Sequence, residues 1–273
     1  MDTAILSPAQ VVNTYGDVGG KKCQNTPLAV FLLAILAGAL IAFAGAATNT
    51  AAHTAGAVGT VRLICALLFP FGLAIVILMG AELFTGNCLI AISVLQKKAS
   101  LAGMLKNWII VYSGNFLGSV LVAALCAYCG QFNYSGGELA VFTMSLAAGK
   151  CSLSFANGLF LGAACNVLVC LGVLCAMTAK DTTGKILGAF VPVALFVLCG
   201  FEHSVANMYY VPAGLFAKSD PAYAALAAEA GLDLTELTWS NFLLRNLVPV
   251  TLGNILGGSG IGILLYLGHN RKS

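Results

Sequence analysis

Charge is what this sequence has least of: 8% of its 273 residues are charged, against 59% that are hydrophobic. Soluble domains carry about 25% charged residues, so water is excluded as the solvent for most of this surface. The mean hydropathy of +0.93 agrees. A net charge of +3, small and dispersed, excludes a nucleic-acid surface. Only three histidines are present, and His53 and His269 stand far from His203, so no local metal cluster forms and an enzyme built on one is not expected. Among the ten cysteines, Cys65, Cys165, Cys170, Cys175 and Cys199 sit in apolar runs, where a thiol acts as a small hydrophobe. Cys126 and Cys129 make one C-x-x-C without a second pair, which reads as helix filling. No cofactor and no metal is expected.

What the chain does have is long apolar runs. The first, Leu28 to about Ala47, is too long for the apolar core of a signal peptide. Others cover about 61–95, 104–129, 153–178, 186–216 and 246–267. A bilayer span needs about 20 apolar residues, so the expectation is an all-α integral membrane protein with six spans. The second and fifth runs are interrupted by Gly80-Ala81-Glu82-Leu83-Phe84-Thr85-Gly86-Asn87 and Gly200-Phe201-Glu202-His203-Ser204-Val205-Ala206-Asn207. Both read G-x-E-x-x-x-x-N, 120 residues apart. In the third and sixth runs Lys106-Asn107, Gly114-Asn115 and Gly118 recur as Arg245-Asn246, Gly253-Asn254 and Gly257.

Two such matches in one order define two three-span repeats, and an odd number of spans turns the halves over. The expected organisation is one transmembrane channel domain, 1–273, with an N-terminal cytoplasmic helix over 1–27, repeat one over 28–130 and repeat two over 150–268. Lys21, Lys22, Lys97, Lys98, Lys106, Lys180, Lys185, Arg271 and Lys272 fall on one side, and Arg62, Lys150, Lys218 and Arg245 on the other. Nine basic residues against four place both termini in the cytoplasm.

Broken helices at matching places in inverted repeats point to a site near the midplane, because backbone freed by a break must face protein or a cavity. Glu82 and Glu202 are expected as scaffold, accepting hydrogen bonds from the unwound backbone, with proton handling as the alternative; Asn87 and Asn207 close the two break motifs. His203, with Thr85 and Asn166 as polar neighbours, is expected to line a pore and exchange protons or stabilise an anion; capping the break is the other reading. An imidazole changes charge near neutral pH. Lys150 reads either as an interfacial lysine or as an anion attractor at a pore mouth. Asn166 follows it by 16 residues, about 24 Å along an ideal helix, which puts Lys150 at the entrance.

The two break segments, together with Lys150 sixteen residues before Asn166, resemble the formate/nitrite transporter family over nearly the whole chain, and within it the clostridial hydrosulfide channel branch. The resemblance implies a homopentamer with an aquaporin-like protomer, a pore in each protomer and a central hole closed by lipid. It makes His203 the central pore histidine, with Thr85 and Asn166 bonded to it, and Lys150 the vestibule lysine. It also implies two apolar constrictions: Phe69, Phe84 and Val169 towards the outside, and Leu73, Leu83 and Phe196 towards the cytoplasm. A mobile segment near 81–88 would gate the inner side with the N-terminal helix. The Gly86-Asn87 pair departs from family members that carry hydroxyl residues there.

The function that follows is passage of small monovalent weak-acid anions across a bacterial plasma membrane: hydrosulfide first, then formate and nitrite. A proton from His203, or from water through it, would neutralise the anion in the apolar slit, and chloride would pass poorly. Proton-coupled formate or nitrite transport is the alternative. A neutral-solute channel would need Asn-Pro-Ala turns, whereas Asn87 and Asn207 precede Cys88 and Met208.

Overall fold

A computed structural model describes residues 5–270, so Met1 to Ala4 and the counted Arg271 and Lys272 lie outside the described residues. The first half runs α1 (Pro8–Gln24), α2 (Pro27–Ala52), α3 (Val58–Leu68), α4 (Pro70–Leu78), α5 (Phe84–Asn87), α6 (Ile90–Leu95) and α7 (Leu101–Tyr128). The second runs α8 (Glu138–Cys151), α9 (Phe155–Thr178), α10 (Thr182–Cys199), α11 (Ser204–Ser219), α12 (Pro221–Glu229), α13 (Trp239–Asn241) and α14 (Val248–Asn270). Helix starts carry local signals: Ser100, Ser154 and Asp181 accept from the amides of Gly103, Asn157 and Gly184, closing the first turns of α7, α9 and α10.

Among the described residues, six helical spans are long and apolar enough to cross a membrane: α2, α3 with α4, α7, α9, α10, and Trp239–His269. At 1.5 Å per residue, the 26 residues of α2 measure about 39 Å, ample for a hydrocarbon core of about 30 Å. Leu28, Leu67, Ile109, Phe160 and Leu264 are exposed along these spans, as a lipid-facing surface requires.

The second and fifth spans stop where expected. Gly80 (φ +63°) and Gly200 (φ +72°) take left-handed conformations that end α4 and α10. Beyond each, the chain leaves the helix for three residues: the Glu82 amide donates to the Leu33 carbonyl and the Glu202 amide to that of Leu161. Helices then resume as α5 and α11. The paired breaks, with three spans in each half, give an inverted-repeat, aquaporin-like architecture.

Equivalent helices pack alike. α2 lies along α7, and α9 along α14. A Cβ on Gly118 would run into the Ile35 carbonyl, and one on Gly257 into the Ala163 carbonyl, so both helix pairs need a bare backbone at the crossing. Gly118→Val is expected to lower stability by about 1–3 kcal/mol through overpacking, read as the midpoint of thermal unfolding in detergent. Lys22 and Thr26 at the α1–α2 junction also match Lys150 and Ser154 at the α8–α9 junction, 128 residues on. Thus α1 stands to the first half as α8 stands to the second.

Candidate pore site

The break backbone is satisfied by asparagines from the third and sixth spans. Asn115 Oδ1 accepts from the Phe84 amide at 2.9 Å, while its Nδ2 donates to the carbonyls of Ala34 and Glu82. Asn254 repeats this with the Ser204 amide at 2.9 Å and the carbonyls of Gly162 and Glu202. This corrects the expectation for the two glutamates, whose carboxylates do not hold the unwound amides. Instead Lys22 Nζ lies 2.8 Å from Glu82, and Lys150 Nζ 2.9 Å from Glu202. Asn87 and Asn207 each donate at 2.6 Å to the same carboxylates, then reach Asn107 and Asn246. Asn107 and Asn246 in turn bond the carbonyls of Lys22 and Lys150. A buried carboxylate needs this much company, because desolvation costs several kcal/mol per ion unless it is paired and hydrogen-bonded.

Lys150 lies at the mouth of a cavity, though not by the helical spacing used to place it. It closes α8 rather than opening α9, so distance along α9 does not set its position. It shares a cavity of about 340 Å³ with His203, Phe69, Phe196, Arg62 and Tyr210. Its charge is matched by Glu202, and the ammonium stands 5.4 Å from the Tyr210 ring centre.

His203 occupies the end of the second break and precedes α11. Its Nδ1 accepts from the Ala206 amide at 3.0 Å, making the imidazole the N-cap of that helix. Since Nδ1 accepts, a neutral ring carries its proton on Nε2. That nitrogen meets the Thr85 hydroxyl at 2.8 Å, joining the breaks of the two halves. The scaffold's symmetry is broken here: the counterparts of His203 and Thr85, 120 residues away, are Leu83 and Val205. Asn166 Nδ2 donates to the Thr85 and Asn254 carbonyls, so it fixes Thr85 and does not touch the imidazole. Asn207 also lines the cavity, with a buried Oδ1 for which no partner is found among the described residues.

The apolar residues divide differently from the expectation. Phe196 stands with Phe69 on the Lys150 side, ring centres 5.9 Å apart, and stacks on His203 at 6.0 Å. The reason is direction: α10 runs towards Lys150, so a residue near its end lies at that mouth. Val169 belongs to the opposite side. It is three residues past Asn166 on α9, about 4.5 Å nearer Thr178, whose carbonyl accepts from the Leu6 amide ahead of α1. Leu73 packs beside Gly172 one turn further on, and Leu83 is buried at the first break. Phe84, buried beside Thr85, meets Trp108 and Tyr112 edge-on at 6.1 and 4.9 Å. The segment expected as a gate is held by α1, where the Tyr15 hydroxyl donates to the Gly86 carbonyl at 2.9 Å.

Sequence reasoning missed Lys22, Asn107, Asn115, Asn246, Asn254, Tyr15 and Arg62 as participants. The signal for the asparagines was present in the repeated Lys/Arg-Asn and Gly-Asn pairs, and that for Lys22 in its 128-residue offset from Lys150. Tyr15 and Arg62 are not repeated in the other half and left no pattern.

A membrane bundle of two inverted halves, whose broken helices meet at a buried polar pair below an open cavity, is a channel or transporter for small solutes. The chain belongs to the formate/nitrite transporter family, whose model, described as "Formate/nitrite transporter", matches residues 9–268. It is 36% identical over 285 residues to a probable formate transporter of Methanothermobacter thermautotrophicus, covering 97% of each chain. It is 32% identical over 266 residues to the formate channel FocA of Escherichia coli (strain K12), covering 96% of this chain and 93% of that one. Among solved structures, a pentameric formate channel with formate bound shares 34% identity at a TM-score of 0.79, covering 90% of this chain and 98% of that one. An FNT family ion channel shares 26% identity at a TM-score of 0.82, covering 94% and 98%. These relatives are channels and transporters, which sets the chain outside the enzymes.

Proposed function

We propose that the chain is a homopentameric channel passing small monovalent weak-acid anions, formate foremost, through a pore in each protomer. Its whole length would serve as one channel domain, with α1 part of the first half as α8 is of the second, and both termini in the cytoplasm of a bacterial cell. The observation that carries the reading is the 2.8 Å contact of His203 with Thr85, a neutral donor pair at the floor of a cavity faced by Phe69 and Phe196. Formate takes precedence over hydrosulfide because the names of several relatives speak of formate.

In this reading an anion collects in the cavity and meets Phe69 and Phe196, where its charge is costly. With Nδ1 of His203 engaged and its proton on Nε2, the resting imidazole is a donor and not a standing acid. The neutralising proton would come from water in the vestibule while the His203–Thr85 pair orients the ion, and the uncharged acid would cross past Leu83, Leu73 and Val169. Central lipid would seal the fivefold axis. Proteoliposomes test this with formate, nitrite, hydrosulfide and chloride at two pH values. Formate flux is expected to rise as pH falls, up to about tenfold per unit while the proton is limiting, with chloride low and flat. Chloride matching formate at both pH values would end the weak-acid reading.

A further inference from the structure

Once Lys150 is matched by Glu202, the cation that this mouth leaves unpaired is Arg62. Among the described residues its guanidinium has no hydrogen bond and no ion pair. It lines the same cavity as Lys150 and His203. Arg62, Cys65 and Phe69 follow one face of α3 at helical spacing, and all three line that cavity. On an ideal helix Arg62 stands about 10.5 Å before Phe69, so an ion entering here meets it before the aromatic pair.

The guanidinium also has a fixed seat. A Cβ built on Gly200 would lie 2.6 Å from one terminal nitrogen of Arg62, 2.8 Å from the other and 2.8 Å from the central carbon. Near-equal distances to three atoms mean that Gly200 faces the flat of the group, which leaves the edge N–H donors free. The counterpart Gly80 has nothing within 4 Å of a Cβ, and the counterpart of Arg62 is Thr182. The seat therefore exists at one mouth only, an asymmetry added to a symmetric scaffold. Arg62 is exposed at this mouth, and Phe69, Phe196 and Phe201 line the same cavity with apolar surface.

We propose that Arg62 is the anion-receiving and selecting residue of the Lys150-side mouth, holding a planar oxyanion such as formate or nitrite by its paired edge donors. The inference rests on the reading of the chain as a weak-acid anion channel. Planar forked donors match a carboxylate in two bonds, whereas a lysine ammonium acts as a point charge. Hydrosulfide, with one charged atom, gains little from the fork. A membrane phosphate offers the same acceptor chemistry, so the test separates the two sources.

The experiment compares wild type, Arg62→Lys and Arg62→Gln in proteoliposomes, reading half-saturation for formate, nitrite and hydrosulfide with and without anionic lipid. Arg62→Gln is expected to raise half-saturation for formate and nitrite about tenfold, the scale of one hydrogen-bonded charge pair. Arg62→Lys should leave hydrosulfide near the wild-type value without restoring the two oxyanions. Formate should also stabilise the detergent-solubilised wild type against heat, and Arg62→Gln should abolish that shift; this readout needs no transport. Silent wild-type liposomes would end the channel reading, while the heat shift alone would still decide the role of Arg62. Unchanged half-saturation in Arg62→Gln, rescue of the two oxyanions by lysine, or a change confined to anionic-lipid dependence would overturn the proposal.

Discussion

Glu202→Ala is expected to cost about 3–5 kcal/mol of stability, the penalty for stripping one partner from a buried ion pair. Lys150 would be left as a largely buried cation without its counter-charge, 5.4 Å from the Tyr210 ring centre, and Asn207 would lose the acceptor at 2.6 Å. Asn246, which ties Asn207 to the Lys150 carbonyl, would lose half its purpose as well. Glu82→Ala should behave alike, because Lys22, Asn87 and Asn107 repeat the arrangement at the other break. A double change removing both charges, Lys150→Met with Glu202→Gln, should recover most of the loss, since neutral replacements of a buried pair are often tolerated. Thermal unfolding in detergent measures all of these. A Glu202→Ala protein within about 0.5 kcal/mol of wild type, the range of ordinary surface changes, would mean that the pair contributes nothing.

Much of this was legible in the sequence because a membrane enforces simple rules. Six spans follow from run lengths, since a bilayer fixes how much apolar helix is required. The breaks were legible because Gly80-Ala81-Glu82 and Gly200-Phe201-Glu202 put a flexible residue and a charge where a plain span tolerates neither. The partner of each glutamate was not. Lys22 and Lys150 lie 60 and 52 positions from the carboxylates they meet, and no local pattern spans that separation. The apolar residues show the same limit. Phe196 and Val169 are recognisable as large groups near a pore, yet their side depends on the direction in which α10 and α9 run. His203 was read as pore residue or helix cap; it lines the cavity and caps α11, as the two nitrogens of one ring allow.

That double duty makes position 203 separable by mutation. His203→Phe keeps an aromatic ring against Phe196 but removes both the cap on the Ala206 amide and the donor to Thr85. His203→Asn keeps a side-chain oxygen able to cap α11, because asparagine is among the best N-caps, yet it is too short to bridge to α5. Both variants are expected to lose about 10- to 100-fold in formate flux, the scale of one hydrogen bond to a charged group. Only the phenylalanine variant should also lose about 1 kcal/mol of stability through the missing cap. Their flux should keep less of the wild-type rise at low pH, since the oriented ion is what receives the proton. If His203→Phe carried formate at the wild-type rate with the same pH profile, the imidazole would be a cap and nothing more. Selectivity for weak acids would then have to come from the apolar side chains alone, with Phe69 and Phe196 rejecting the ion and admitting the acid. The asparagine variant decides between these accounts, because it keeps the helix and removes only the bridge between the halves.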